Sequence, residues 1–251
     1  MKNKNKDITT SKYLVAYLDF LGGVNLIKND KNNVNLSKIK QIYTFVLDKA
    51  MEIEKKETIK KIKYKIFSDN VIIASKIEMK TGLQIKRSVI NFFYLVALFQ
   101  IYALEQNYLL RGGITVGDLY IDKDMVWGKA LVRAYEQESK EAIYPRVIID
   151  KLVEDDIFNK IYCDSVNFQK INCCYDDDTK LFLDYLSLTY SDSMKEFVKE
   201  WSSNHKNKIS ECKNKSDDDS KKILEKLIWH KNYFNSFCDN KNLQKYKING
   251  V

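Results

Sequence analysis

The sequence predicts a mixed α/β fold (of the α+β type) in which helices cover one face of a mixed or antiparallel sheet. Short apolar segments rich in β-branched and aromatic residues alternate along the chain with longer segments of helical periodicity. Two of the predicted strands follow each other across a tight turn, which favours antiparallel pairing. The 251 residues are 45% hydrophobic and 12% aromatic, which is enough for a substantial core.

The first half of the chain is expected to alternate strands and helices. Gly22 and Gly23 end the first strand, apolar positions at helical spacing follow, and Ser68-Asp69-Asn70 forms a turn between two strands. The predicted elements are a strand at Tyr13–Phe20, a helix within 36–57, strands at Ile59–Phe67 and Val71–Ser75, and a long helix at Gln84–Gln106.

The second half continues the alternation and then becomes mainly helical. A strand at Tyr108–Tyr120, a short strand at 125–128 and a helix at Lys129–Ala142 are expected next. Pro145 stops this helix, and 146–150 is the next strand. Beyond it, a hairpin with an acidic loop at 176–178 and two helices within 191–240 are expected. The acidic triplet is interpreted as a solvated loop. The predicted organisation is a flexible N-terminal tail (1–11), a main domain (12–190) and a helical C-terminal extension (191–251).

The composition argues against nucleic-acid and membrane partners. The net charge of +8 comes almost wholly from scattered lysines, whereas nucleic-acid binders usually cluster basic residues and favour arginine. The arginines are Arg87, Arg111, Arg133 and Arg146. The longest apolar run, Val89–Leu104, is shorter than a bilayer span requires and is interpreted as a buried helix. The polar N-terminus does not resemble a secretory signal.

The cysteines predict reduced thiols in a cytoplasmic protein. Their number is odd, none forms a CxxC pair, and the two histidines are not at ligand spacing, which argues against a zinc site. The cysteines are Cys163, Cys173, Cys174, Cys212 and Cys238.

Two aspartates stand in apolar surroundings. Asp19 lies at the end of the first strand, and Asp69 lies in the turn between the second and third strands. Each alone is typical of a turn or cap residue. If the strands are neighbours, however, the two carboxylates meet at one edge and repel each other unless a cation lies between them. Mg²⁺ and similar hard cations bind one or two carboxylates together with substrate phosphates.

Four segments in this order resemble the class III nucleotidyl cyclases. "LDFLGG" (18–23) resembles their first metal motif, and "KIFSDNVI" (65–72) resembles their Lys-x-Ile-Gly-Asp turn, with Ser68 where glycine is usual. "RGGITVG" (111–117) resembles their Arg-x-Gly-Ile strand, and 127–150 resembles the helix and strand that follow. The match covers about residues 12–151 and is most similar to the Pycsar pyrimidine cyclases of bacterial anti-phage defence.

The resemblance implies a ferredoxin-like cyclase sheet and a homodimer whose sites use residues of both chains. Each site would hold two Mg²⁺ or Mn²⁺ ions at Asp19, Phe20 and Asp69, and the turn Phe20-Leu21-Gly22-Gly23 would help to bind the triphosphate. The ribose 3′ oxygen would attack the α-phosphate, and pyrophosphate would leave.

The base-reading and transition-state residues of the family are only partly kept. Lys65 stands where the family has its base-reading lysine, but Met125 replaces the partner aspartate. Val132 and Glu136 replace the Asn and Arg of the helix motif. Arg133, next to the lost Asn, is expected to supply catalytic charge. For Arg111 two interpretations are open: a triphosphate contact, or a structural arginine paired with Glu136 or Glu138.

The resulting hypothesis is a uridylate cyclase that makes 3′,5′-cyclic UMP as an alarm signal, with an effector that responds to the product rather than through direct contact. Two alternatives stay open: a cytidylate cyclase, and a degenerate cyclase domain that binds nucleotide and regulates a partner. A diguanylate-type cyclase or palm polymerase ranks lower, because the sequence contains neither Gly-Gly-Asp-Glu-Phe nor Gly-Gly-Asp-Asp.

Overall fold

The computed structural model describes residues 8–57, 62–77, 82–159 and 171–251. Its strands form a sheet in the order β2-β3-β1-β4-β6-β8-β7, and β5 pairs with the end of β4. The strands are β1 Ser11–Phe20, β2 Lys63–Phe67, β3 Asn70–Lys76, β4 Leu110–Ile121, β5 Val126–Trp127, β6 Val147–Ile149, β7 Cys173–Tyr175 and β8 Leu181–Leu183. Cys163, residues 1–7 of the predicted tail and residues 59–61 of the predicted second strand lie outside the described residues.

The longer helices follow the predicted order, and three short helices at 23–28, 151–153 and 185–189 were not predicted. They are α1 Gly23–Lys28, α2 Val34–Glu57, α3 Gly82–Glu105, α4 Lys129–Glu136, α5 Lys151–Val153, α6 Tyr185–Thr189, α7 Lys195–Lys213 and α8 Asp218–Asn240. The predicted helix at Lys129–Ala142 is not α-helical throughout: after α4 the chain widens into a π-helical turn at Gln137–Glu141. A second π-helical turn, Glu154–Phe158, follows α5.

The first four long strands form a β-α-β-β-α-β unit. β1 pairs antiparallel with both β3 and β4, and β2 pairs antiparallel with β3, which gives the ferredoxin-like order β2-β3-β1-β4. β6 then extends the sheet parallel to β4. The predicted α/β fold with a ferredoxin-like sheet is confirmed.

The alternation of β1 divides the interior into two layers. Leu14, Ala16 and Leu18 face the main core together with side chains of α2 and α3. Tyr13, Val15 and Tyr17 point to the other face, where Ala130 and Ala134 of α4 cover them. The prediction placed the helices on one face; α2 and α3 lie there, and α4 packs on the opposite face because its small residues allow close approach to the sheet.

Helix α3 is the apolar helix of the core. By length and composition alone Leu83–Glu105 could cross a membrane, but 67% of its most apolar stretch is buried inside the protein. Phe92, Phe93 and Phe99 are fully buried against the sheet. The predicted buried helix is confirmed.

The C-terminal helices α7 and α8 pack on the same core. Trp201 of α7 and Phe234 of α8 belong to the cluster that contains the main sheet face. Between them lie two buried histidines: His205 Nε2 is 3.0 Å from the Leu227 carbonyl, and His230 Nε2 is 2.7 Å from the Tyr185 hydroxyl.

The acidic loop between β7 and β8 differs from its prediction. The triplet was interpreted as a solvated loop, but Asp176 and Asp178 both bind the guanidinium of Arg146, whose side chain is 1% exposed. The prediction was wrong because it treated the triplet locally, whereas its partner lies about 30 residues earlier in the chain. The loop is therefore part of a buried ionic contact.

Candidate active site

The ends of β1 and of the β2–β3 turn bring Asp19 and Asp69 to one edge of the sheet. Asp19 pairs in register with Asn70, the residue after Asp69. The Phe20 amide also donates to the Asp69 carbonyl at 3.3 Å, which fixes the turn against the end of β1. The predicted meeting of the two aspartates follows directly from this register.

The Gly22-Gly23 turn leaves room for the Asp69 side chain. Gly22 has φ +81°, a left-handed conformation that glycine adopts readily. A Cβ on Gly23 would lie 1.5 Å from Asp69 Oδ2, so no other residue fits there without moving the carboxylate. Ser68, which stands where the resemblance expects glycine, has φ +56°. This conformation explains why glycine suits that position.

The four residues of the predicted phosphate-binding turn differ in what their amides do. The Phe20 amide is bonded to Asp69, and the Leu21 amide donates to the Leu109 carbonyl at 2.8 Å. Gly22 precedes the first turn of α1, and Gly23 begins it. The Phe20 ring is buried and contacts the rings of Tyr43 and Tyr108 edge-on. Phe20 and Leu21 therefore hold the turn in place.

Arg111 and Glu138 complete the charged cluster. Arg111 opposes Asp19 in register, and its Nε lies 3.4 Å from Asp19 Oδ2 and 2.7 Å from Glu138 Oε1. Glu138 is 4% exposed because the π-helical turn directs it inward. The sequence prediction named Glu138 only as an alternative partner of Arg111. That pairing is found; the proximity of Glu138 to Asp19 was missed.

The cluster has more negative charge than its arginine balances. Burial raises the pKa of Asp19, Arg111 lowers it, and the neighbouring Asp69 raises it again. Burial also raises the pKa of Glu138 to about 7, with Arg111 opposing and Asp19 adding to the shift. The pKa of Tyr17 rises to about 12, first through burial and then through Glu138 and Asp19. The excess of negative charge at this edge therefore disfavours the ionised forms of its acidic groups.

The donor set fits a hard divalent cation. No group of three or more His, Cys, Asp or Glu side chains poised to hold a metal occurs within 8–57, 62–77, 82–159 and 171–251. The pair Asp19 and Asp69 provides oxygen ligands only, and their mutual repulsion is relieved by a cation between them. Mg²⁺ and Mn²⁺ bind in this way where a substrate phosphate supplies the remaining oxygens.

Lys65 and Met125, the predicted base-reading residues, lie at a common turn. The Lys65 ammonium donates to the carbonyl of Lys123 in the β4–β5 connection. The Met125 amide donates to Asp122 Oδ1 at 2.8 Å, and its side chain is 48% exposed. Asp122 also accepts from the Tyr120 hydroxyl at 2.5 Å, and this bond, with those from the turn amides, lowers its pKa to about 2.

In a single chain, Arg133 lies away from the edge that carries Asp19 and Asp69. Its guanidinium binds both carboxylate oxygens of Asp150, which also accepts from the Thr115 hydroxyl at 2.6 Å. Thr115 and Arg111 are four residues apart on β4, which corresponds to about 13 Å. Arg133 borders a cleft of about 540 Å³ between α4 and β4, lined also by Lys12, Lys129 and Asp156.

Comparisons with known proteins give matches among solved structures only. No family model and no curated protein matches the chain. The adenylyl cyclase CyaB from P. aeruginosa matches at 13% identity with a TM-score of 0.46, covering 69% of this chain and 93% of that chain. The guanylate cyclase domain of RhGC from Catenaria anguillulae in complex with GTP matches at 12% identity with a TM-score of 0.45, covering 68% and 93%.

A third match is the monomeric guanylyl cyclase domain of the RhoGC fusion protein from the aquatic fungus Blastocladiella emersonii. It shows 10% identity and a TM-score of 0.44, and the alignment covers 69% of this chain and 95% of that chain.

Proposed function

We propose that this chain is a nucleotidyl cyclase, which converts a nucleoside triphosphate to a 3′,5′-cyclic monophosphate and pyrophosphate. The observation that carries the proposal is the pairing of Asp19 and Asp69 at one sheet edge, with Arg111 beside them and the Gly22-Gly23 turn against Asp69. The two carboxylates provide metal ligands. Arg111 and the glycine turn provide the phosphate contacts that phosphoryl transfer also requires.

The residues of the cluster have separate roles in this proposal. Asp19 and Asp69 hold the divalent cations, with the Phe20 backbone next to them. Arg111 contacts the triphosphate while Glu138 fixes its guanidinium, so that the two interpretations of Arg111 are combined. When bound, Mg²⁺ or Mn²⁺ supplies positive charge that activates the 3′ oxygen and neutralises the leaving pyrophosphate.

The reaction is an intramolecular displacement at phosphorus. A bond forms between the ribose O3′ and the α-phosphorus, and the bond from that phosphorus to the pyrophosphate oxygen breaks. The 3′ hydroxyl proton is released. The chain contributes by positioning and by electrostatics: Arg111 binds the phosphate oxygens, and the absence of a side chain at Gly23 leaves room for the Asp69 carboxylate.

A second copy of this chain is proposed to complete the site. Apolar side chains are exposed beside the carboxylate edge: Phe67 is 48% and Tyr135 is 49% exposed, and both rings contact Tyr17. Trp127, on the β4–β5 hairpin that carries Met125, is 70% exposed. Burial of this surface in a homodimer would bring Lys65, Met125 and Arg133 of one protomer to the aspartates of the other.

A pyrimidine substrate, UTP first, is proposed from the base-reading residues. Met125 cannot accept a hydrogen bond from the amino group of adenine through its side chain, so that group would be buried unpaired at a cost of about 1–3 kcal/mol. Uracil offers a carbonyl oxygen to which the Lys65 ammonium can donate. CTP is the alternative substrate, and it would need another acceptor for its amino group.

The proposed biological setting is anti-phage signalling in the cytoplasm. The cyclic nucleotide would act on a separate effector, without direct contact between the effector and the cyclase. The main domain is proposed to comprise residues 12–190, with residues 191–251 as a helical extension that packs on the core of that domain.

Incubation of the purified protein with each of the four nucleoside triphosphates and Mn²⁺, with product identification by mass, tests the proposal. Formation of cyclic UMP is expected, with Asp69→Asn inactive and the exposed Arg87→Met fully active as the matched control. Cyclic CMP as the main product would select the cytidylate alternative. Nucleotide binding without turnover would assign the chain as a nucleotide-binding regulatory module.

A further inference from the structure

Three aromatic side chains form a patch beside the carboxylate edge. Tyr17 of β1 lies at its centre: the centroid of the Phe67 ring is 6.2 Å from that of Tyr17, and the centroid of the Tyr135 ring is 5.5 Å from it. Both rings meet Tyr17 edge-on, with angles of 62° and 75° between the ring planes. Tyr17 is buried, whereas Phe67 and Tyr135 are about half exposed. This aromatic patch (Tyr17, Phe67 and Tyr135) therefore has a buried centre and two accessible rings.

Strand register places the aromatic patch on the same face of the sheet as the charged cluster. Phe67 pairs with Asn70, and Asn70 pairs with Asp19. Asp19 in turn pairs with Arg111. Because residues directly opposite each other point to the same face, these side chains form one row across β2, β3, β1 and β4. Tyr17 precedes Asp19 by two residues and points to that face as well. The patch and the cluster are therefore parts of one continuous surface.

The π-helical turn after α4 carries the third ring to the same place. This turn is packed tightly on β4, since a Cβ on Gly113 would lie 2.5 Å from Gln137 Cβ, and Gly113 pairs with Tyr17. Tyr135, near the end of α4, precedes Gln137 by two residues, and Glu138 follows it. The same segment of chain thus supplies one ring of the patch and one carboxylate of the cluster.

The spacing between the patch and the cluster suits a nucleotide. Two residues along a strand, the separation of Tyr17 from Asp19, span about 7 Å, and the two strand spacings between Phe67 and Asp19 span about 10 Å. In a nucleoside triphosphate the ribose places the base at a comparable distance from the α-phosphate. A ligand that is anionic at one end and flat at the other fits this surface, whereas a wholly apolar partner would have to lie against Arg111 and its carboxylates.

We propose that the aromatic patch stacks the nucleobase of the triphosphate whose phosphates bind at the carboxylate edge of the same protomer. This inference rests on the proposed cyclase function and adds a base contact to those predicted from the sequence at Lys65 and Met125. Stacking on an aromatic ring is tolerant of base identity, because every base has a π-face. The patch therefore contributes affinity, and selectivity between bases is left to Lys65 and Met125 of the second protomer in the proposed homodimer.

The test compares a ligand that has a base with one that has none. Calorimetry measures the binding of a non-hydrolysable UTP analogue and of inorganic tripolyphosphate, each with Mn²⁺, to the full chain. Phe67→Leu and Tyr135→Leu each remove one ring of the patch, and Tyr135→Phe removes only a hydroxyl. Size-exclusion chromatography and thermal unfolding of every variant monitor the dimer and the fold.

Tyr64→Leu is the matched control. Tyr64 lies on the same strand as Phe67 and is exposed to a similar extent, 46%. It pairs with Ile73 of the main core, so it points to the opposite face of the sheet from the patch. Its variant removes an exposed ring of β2 without altering the proposed base contact.

The two leucine variants of the patch should bind the nucleotide more weakly than wild type. Phe67→Leu and Tyr135→Leu are each expected to lose about five- to a hundredfold in affinity for the UTP analogue, as the loss of a base–aromatic stack predicts. Their affinity for tripolyphosphate should be unchanged, because that ligand has no base. Tyr135→Phe and Tyr64→Leu should bind both ligands as wild type does.

Three results would overturn the inference while wild type still turns over a nucleoside triphosphate, so that the proposed function stands. Equal losses for both ligands would mean that the rings position the charged cluster rather than bind the base. Unchanged binding of the UTP analogue in both leucine variants would mean that the base lies elsewhere. Loss of the dimer in these variants would assign the patch to the contact between protomers. If wild type neither binds nor turns over any triphosphate, the proposed function fails, and the inference fails with it.

Discussion

Two arginines of this protein meet carboxylates in opposite ways. Arg146 is 1% exposed, binds Asp176 and Asp178, and lies over the rings of Tyr144 and Trp229. Arg111 meets Asp19 and Glu138 at the sheet edge, with Asp69 close by. The first arrangement is a closed ionic contact between a strand and a loop, and the second lies beside the Gly22-Gly23 turn.

The direction of the pKa shifts separates the two arrangements. At the Arg146 contact, burial is outweighed by hydrogen bonds from Arg146 and the Lys180 amide, and the pKa of Asp178 is lowered. At the Arg111 edge, burial outweighs the arginine, and the pKa values of Asp19 and Glu138 are raised. The same residue types thus form a satisfied structural contact in one place and a cluster that lacks positive charge in the other.

The largest expected effect on stability is at the satisfied contact. Arg146→Met removes the buried cation and its bonds to the partly exposed Asp176 and Asp178, so the free energy of unfolding should fall by about 1.5–3 kcal/mol. Urea denaturation measures this change. The exposed Arg87→Met should be neutral, and Arg111→Met should lose turnover with a smaller loss of stability. Equal destabilisation by Arg111→Met and Arg146→Met would remove the distinction between the two regions.

The next largest expected effect is a loss of turnover at the edge of Asp19 and Asp69, which lacks positive charge. Asp69→Asn should reduce turnover by at least about a hundredfold, because a neutral side chain no longer holds the cation. The dimer and the fold should persist, as size-exclusion chromatography and thermal unfolding can verify. Asp178→Asn, at the satisfied contact, is the matched control and should keep near wild-type turnover. Full activity in Asp69→Asn would contradict the assignment of the metal ligands.

A variant with a smaller expected effect tests the space around the Asp69 carboxylate without altering the charge of the site. Gly23→Ala places a methyl group where the Asp69 carboxylate lies, so the carboxylate must move and turnover should fall by about tenfold or more. Gly22→Ala is the comparison, since its Cβ would meet nothing within 4 Å and only its left-handed φ is disfavoured. Steady-state kinetics of the two variants should therefore differ, and identical losses would argue against a specific clash with Asp69.

The sequence predicted the aspartate pair but not its surroundings. The order of strands and the Ser68-Asp69-Asn70 turn were enough to bring Asp69 to Asp19, because strand register is determined by local pattern. Glu138 could not be placed, because a continuous helix was assumed where the chain widens into a π-helical turn that changes which residues face inward.

The smallest expected effect concerns two buried histidines, His205 and His230, which are neutral in the folded protein. Burial lowers the pKa of His205 to about 4 and that of His230 well below its ordinary value. Both are neutral when folded and bind protons on unfolding below pH 6.5, so these histidines lower the stability as the pH drops from 6.5 toward 4. Glu138, whose pKa is raised in the folded protein, contributes in the opposite direction as the pH falls below about 7. At pH 5.5 the loss is about 1 kcal/mol for each histidine.

Urea denaturation at pH 7.5 and at pH 5.5 measures the histidine effect. His205→Phe removes one titrating group, so relative to wild type its stability should gain about 1 kcal/mol on going from pH 7.5 to pH 5.5. An unchanged difference from wild type would show that His205 does not contribute to the pH dependence. A His205→Phe protein that loses more stability than wild type on acidification would contradict the burial of a neutral His205.

The measurement that tests the central claim most directly is Mn²⁺ binding in the presence of a non-hydrolysable UTP analogue, followed by electron paramagnetic resonance. Three proteins are compared: wild type, Asp69→Asn and Asp178→Asn. The unsatisfied edge predicts bound Mn²⁺ in wild type and in Asp178→Asn, and at least a tenfold loss of Mn²⁺ affinity in Asp69→Asn. Unchanged Mn²⁺ binding in Asp69→Asn, or a loss confined to Asp178→Asn, would contradict the claim that the edge of Asp19 and Asp69 is the cation site.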